Sequence, residues 1–115
     1  MIFVDTHSHI FFKDYDNDRD EVVSRAEQAG VAAVFDVGLD EPTNKQVIAN
    51  SEKYPMVFPI VGFHPHEAAK YDHPAFEDFL EEYKGRYIGI GEFGLDYFRD
   101  ISPRKKQRDS FEKQL

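Results

Sequence analysis

Cysteine is absent from these 115 residues, which excludes a disulfide framework, a thiolate nucleophile and a thiolate metal site. Any transition metal must then be held by histidine and carboxylate. No apolar run approaches the roughly 20 residues that span a bilayer, so no membrane partner is expected. Positive charge is scarce, with 14 Lys and Arg against 22 Asp and Glu and a net charge of -8. That balance argues against a general nucleic-acid coating protein, whose affinity comes mainly from phosphate neutralisation. It leaves room for a local basic track or for an acidic site that holds cations. No serine lies in a Gly-x-Ser-x-Gly turn and no Gly-x4-Gly-Lys phosphate loop occurs, so the best available nucleophile is metal-activated water. The first residues, Met1 to Asp5, carry no basic leader. With cysteine missing as well, the expected compartment is the cytoplasm. Gly/Ser linkers and low-complexity tracts are also missing, and residues 1–115 are expected to form one unit without an internal boundary.

The composition is globular, with 41% hydrophobic, 15% aromatic and 31% charged residues. Its apolar rhythm alternates between short β-rich runs and helical stretches. Ile2 to Val4 reads as a strand that meets the polar run Asp5 to His9. Asn17 or Asp18 can cap a helix carrying Val22, Val23, Ala26 and Ala29, with Gly30 placed as a left-handed C-cap. Val31 to Val37 is a second strand, and Thr43 with Gln46 forms a capping-box pattern for a helix to about Lys53. Met56 to Val61 is a third strand, with Pro59 near its edge. The helix from Pro74 carries Phe76, Phe79, Leu80 and Tyr83. Tyr87 to Ile90 is a fourth strand, and Ser102-Pro103 opens a last helix with Phe111 and Leu115 one turn apart. Strict alternation of strand and helix implies a parallel sheet with crossover helices. The fold class is α/β, a TIM-barrel-type repeat of about four βα units. The last helix reaches Leu115 without a C-cap glycine, which reads as an architecture cut part-way.

Four of the five histidines form two His-x-His pairs, each just after an apolar strand. His7 and His9 have the same parity in an extended segment and can aim two imidazoles at one cation, although two ordinary rim histidines would look the same. Asp5 shares that parity and could orient an imidazole. In Gly62-Phe63-His64-Pro65-His66 the proline breaks regular extension; His64 is assigned to substrate or an oxyanion, and His66 to structure. Glu92 sits among three glycines in Gly89 to Gly94, where a carboxylate could bridge two cations; an ordinary exposed turn glutamate is the alternative. Asp96 and Tyr97 could position substrate. The acidic run from Asp14 to Glu21 fails as a calcium loop because Arg19 and Arg25 occupy the required Gly and Glu positions. The cluster Arg104, Lys105, Lys106 and Arg108 reads first as a solvated helical face and second as a phosphate contact. Phe11 and Phe12 read as packing before base stacking.

The segments Val4-Asp5-Thr6-His7-Ser8-His9, Gly62-Phe63-His64-Pro65-His66 and Gly91-Glu92-Phe93-Gly94-Leu95-Asp96-Tyr97, in this order and spacing, resemble the TatD family of metal-dependent deoxyribonucleases. The resemblance implies the first half of a (β/α)8 barrel, whose full length is about 250 residues. It implies that His7 and His9 bind one divalent metal, Mg, Mn or Zn, that Glu92 bridges to a second in a complete site, and that His64 lies beside the scissile phosphate. The implied activity is phosphodiester hydrolysis in DNA, often as a 3′ to 5′ exonuclease. The family takes two more histidines and a late aspartate from its second half. Two rival readings follow from that shortfall and from related barrels: a catalytically silent half-barrel that binds metal weakly or assembles with a partner, and a hydrolase of amides or lactones. Open sheet edges are liable to pair, so a homodimer of half-barrels is a further expectation.

Overall fold

The computed structural model describes residues 1–115. Four parallel strands, β1 (Phe3–Ser8), β2 (Val31–Val37), β3 (Val57–Val61) and β4 (Gly89–Ile90), lie in the spatial order β1-β2-β3-β4. Helices α1 (Arg19–Gln28), α2 (Glu41–Lys53) and α3 (His73–Glu82) connect them, and α4 (Arg104–Gln114) follows β4. Consecutive strands are neighbours throughout, which is the arrangement of half a (β/α)8 barrel.

Burial is one-sided. Phe11, Val47, Ile48, Val61, Phe63, Phe76 and Phe79 form one core cluster, and Ile10, Val23, Val34, Tyr54 and Val57 a second. All of β1 up to His7 is exposed, as are Phe58, Ile88 and Ile90. The accessible surface of 7083 Å² exceeds the roughly 6500 Å² expected of a closed monomer of this mass, as an open half-barrel requires.

Most expected elements form, with instructive shifts. β1 continues through the polar run to Ser8 because its main chain pairs with β2 whatever its side chains do. Gly30 takes the left-handed conformation, φ +92°, that a helix C-cap needs. The capping box of α2 is displaced: Asp40 is the cap, and its carboxylate accepts from the Thr43 N–H while the Thr43 hydroxyl accepts from the Asp40 N–H. Gln46 takes no part. Pro59 lies inside β3. Its carbonyl accepts from the Ile88 N–H, so its nitrogen also faces the β4 side, where regular pairing starts only at Gly89. β4 is correspondingly shorter than Tyr87 to Ile90. Two 3₁₀ turns lie beside the His-x-His segments: Lys13–Tyr15 follows the first, and Pro65–Lys70 begins within the second, with His64 as its N-cap. The last helix departs most: it buries Gln107, Ser110 and Gln114 while Leu115 is exposed.

Asp36 is a fully buried carboxylate on β2, accepting from the Ile10 N–H at 2.9 Å and from Asn50 Nδ2 at 2.8 Å. Burial pushes its pKa up to about 6, against the pull of those two donors. The folded state therefore holds the proton better than the unfolded chain. The burial penalty is absent below about pH 3.8 and fully present above about pH 6. Relative to Asp36→Asn, the native chain is expected to lose about 3 kcal/mol between those limits, the size of a two-unit shift. Urea unfolding of both proteins at pH 4 and pH 7 checks this, and a pH-independent difference would contradict it.

Candidate metal centre

His7 and His9 leave the C-terminal end of β1, His64 and His66 follow β3, and Glu92 follows β4. These are the strand ends at which parallel α/β folds place their sites. His7 Nε2 lies 3.0 Å and His9 Nε2 3.9 Å from Glu92 Oε2, while His64 Nε2 lies 3.5 Å from the other oxygen, Oε1. The two carboxylate oxygens thus face different imidazoles. One donor atom each from His7, His9 and Glu92 falls within 4.8 Å of the others, close enough to share one cation. The four imidazoles of the two pairs, with Glu67 and Glu92, line an open cavity of about 280 Å³.

Hydrogen bonds set the tautomers. His9 Nδ1 is 2.7 Å from the Val37 carbonyl, which only accepts, so Nδ1 carries the proton and Nε2 offers a lone pair. At His64 the order is reversed. Its Nδ1 accepts from the His66 N–H at 3.1 Å, so the proton sits on Nε2, toward Glu92. Burial also pushes the His64 pKa down, against the raising effect of Glu92, favouring the neutral ring. Two imidazoles and a carboxylate form an N,N,O donor set that suits Zn²⁺ or Mn²⁺, so the residues fit a divalent metal.

Asp5 does not touch an imidazole. Its carboxylate accepts from the His7 backbone N–H, a bond available to any residue at position 7. Asp96 is likewise engaged within the fold: it meets His66 Nε2 at 2.5 Å and accepts from the Phe98 and Arg99 N–H groups. The Arg99 backbone donor and then His66 hold its pKa down at about 2. His66 therefore belongs to the cavity wall and is fixed from behind. Tyr97 lies under the Arg104 guanidinium, 4.7 Å from ring centroid to Cζ. Phe11 packs in the core, and Phe12 stacks on His9 with centroids 5.0 Å apart.

Three buried amides escaped sequence reasoning. Asn44 on α2 accepts from the Gly62 N–H and donates to the Gly62 carbonyl, both at 3.0 Å. Gln114 does the same to Phe63 at 2.8 and 3.2 Å, and Gln107 to Asp96 at 2.7 and 3.2 Å. Each amide serves one residue as a strand neighbour would, so the loops bearing His64 and Asp96 have their main chain satisfied without strand partners. For Gln107 and Gln114 the only sequence signal is a helical spacing with Ser110, which is polar and so reads as a solvated face; Asn44 carries none. Arg19 acts similarly on the first loop, donating to the carbonyls of Ile10, Phe11 and Phe12.

Against known proteins, the family model described as TatD related DNase matches residues 4–115. The chain is 33% identical over 117 residues to a Bacillus subtilis protein named uncharacterized metal-dependent hydrolase YabD, covering 100% of this chain and 45% of that one. It is 34% identical over 100 residues to the Salmonella typhimurium 3'-5' ssDNA/RNA exonuclease TatD, covering 85% and 38%. The crystal structure of YjjV, a TatD homolog from Escherichia coli, superposes with a TM-score of 0.86 at 28% identity, over 97% of this chain and 44% of that one. The chain spans less than half the length of each of these proteins.

Proposed function

The chain belongs to the TatD related DNase family, and from that premise we propose that it carries the first-half residues of a divalent-metal-dependent hydrolase of DNA phosphodiester bonds, of the 3′ to 5′ exonuclease type. The observation that carries this reading is the convergence of His7, His9 and Glu92 donors within 4.8 Å, with His64 on the far oxygen of the same carboxylate. A bound divalent cation supplies Lewis acidity, activating water for attack and drawing charge from a phosphodiester.

The chain's own residues take defined parts in the proposal. His7, His9 and Glu92 would hold the cation, the His9 ring being fixed by its bond to the Val37 carbonyl so that Nε2 is free to ligate. His64, with its proton on Nε2, donates to a phosphoryl oxygen, a charge-assisted bond that strengthens as the oxygen gains charge. Asp96 contributes through His66, and Tyr97 by holding Arg104 at the rim. Cleavage of single-stranded DNA with Mg²⁺, Mn²⁺ or Zn²⁺ by this chain and by Glu92→Gln tests the reading; equal rates would overturn it. The exposed apolar residues along both free edges, Ile2 and Val4 on one side and Ile88 and Ile90 on the other, favour pairing with a second copy as part of the same proposal. Sedimentation equilibrium is expected to give a dimer mass, and a monomer at every concentration would remove this part.

A further inference from the structure

The segment that follows Glu92 is electrostatically unlike the rest of the chain. Residues 99–113 hold six of the 14 cationic residues and only three of the 22 acidic ones. Three of these cations are paired, Arg99 with Asp96 at 3.6 Å, Arg104 with Asp100 and Lys105 with Asp109. Lys106 and Arg108 are exposed and have no acidic partner. Aromatic rings interleave with these charges. Phe98 is 96% exposed, and Tyr97 carries the Arg104 guanidinium on its face while its hydroxyl meets Arg108 at 3.5 Å.

This patch adjoins the cavity through an unbroken series of contacts. Glu92 meets His64, whose ring packs on His66 with centroids 4.3 Å apart. His66 meets Asp96, the residue before Tyr97. Gln107 fixes the whole loop to α4 from beneath, bonding the main chain of Asp96 and Ser102. The geometry points to a binding track for single-stranded polynucleotide, in which Phe98 stacks on a base and Arg99, Lys106 and Arg108 meet backbone phosphates on the way to the metal centre. The inference rests on the reading of that centre as a phosphodiester hydrolase and adds how a long substrate is held.

Charge complementarity selects the occupant. A chain with net charge -8 that binds a polyanion must do so where its cations gather. Stacking selects the strand state: an exposed ring can take only a base whose face is free, which a duplex does not offer. Each neutralised phosphate adds to affinity by releasing counterions, so three cations beside one ring suit a short stretch next to the scissile bond rather than a long track.

The test is fluorescence anisotropy of a labelled ten-residue oligothymidylate titrated with this chain in EDTA, where no metal can anchor the strand. Phe98→Ala is expected to weaken binding about tenfold or more, and Phe98→Trp to restore it. Arg99→Gln combined with Arg108→Gln should lower the slope of log affinity on log salt by about 1.4, roughly 0.7 per lost contact to a single strand. Absence of binding by the native chain overturns the track. Equal affinity of Phe98→Ala and native protein, or equal competition by a duplex of the same length, does so as well. A fourth adverse outcome is a Phe98→Ala change in sedimentation with unchanged affinity, which would assign the patch to pairing between copies. Hydrolysis of bis(4-nitrophenyl) phosphate by the native chain with Mn²⁺ reads the metal centre separately, so failure of one reading is distinguishable from failure of the other.

Discussion

Glu92→Gln is expected to lower the affinity for Mn²⁺ by at least about a hundredfold while leaving the melting temperature within about 2 °C. Changing groups that merely support metal ligands already costs 10–100-fold in affinity, and here the anionic member of the N,N,O set is itself neutralised. Glutamine keeps the shape and one acceptor oxygen, so the cavity is not emptied. The Glu92 side chain is about one third exposed and its partners are the imidazoles of His7, His9 and His64. Its removal therefore strands no buried charge, and near-surface changes of this kind usually fall within about 0.5 kcal/mol. Calorimetric titration and thermal circular dichroism give the two numbers. Undiminished affinity would show that Glu92 is not a ligand, and a large fall in melting temperature would show that the carboxylate mainly holds the fold.

Gly62→Ala is expected to destabilise the chain by about 3 kcal/mol, at the upper end of what overpacking costs, and to weaken metal binding as well. A methyl group at Gly62 would stand 2.4 Å from the Gly91 carbonyl oxygen and 2.6 Å from its carbon. Neither side can yield freely. The Gly62 main chain is gripped on both its polar groups by Asn44, and the Gly91 N–H is bonded to the Val61 carbonyl. Relief must push Gly91 outward, and Glu92 goes with it. Gly94→Ala is the control, since nothing lies within 4 Å of its added methyl. Both substitutions reduce the freedom of the unfolded chain alike, so the difference between them isolates the clash. Melting curves and Mn²⁺ titrations of the two variants should diverge; a Gly62→Ala protein as stable as Gly94→Ala would contradict the close approach of Gly62 and Gly91 just beyond β3 and β4.

The alternation of strand and helix was legible because parallel strands covered by helices read as short continuous apolar runs, as at Val31 to Val37 and Val57 to Val61. Gly30 was legible because few residues other than glycine take φ +92° without strain. The His7/His9 pair and Glu92 could be singled out individually. Their convergence could not be seen from spacing alone, since 82 or more residues separate the histidines from the glutamate and only the strand order β1-β2-β3-β4 curls the two ends of the sheet toward each other. What stayed illegible is polar packing. The sequence pattern puts the cap of α2 at Thr43, whose hydroxyl in fact reciprocates the Asp40 cap, because Thr43 with Gln46 fits the Ser/Thr-x-x-Glu/Gln box and Asp40 with Thr43 does not. Gln107 and Gln114 look like solvent-facing helix residues, and Phe111 and Leu115 like the packing face. The neighbouring loops instead present backbone N–H and C=O groups that need partners, and long amides fill that need where leucine would leave them orphaned.

The central claim is that His7, His9 and Glu92 share one cation at the open rim of the half-barrel. An anomalous-scattering map from crystals of the chain soaked in Mn²⁺ tests it most directly. The account predicts a single dominant peak about 2.0–2.3 Å from His7 Nε2, His9 Nε2 and a Glu92 carboxylate oxygen. A peak confined to the acidic run Asp14 to Glu21, or density that leaves the three side chains apart with no ion between them, would contradict it.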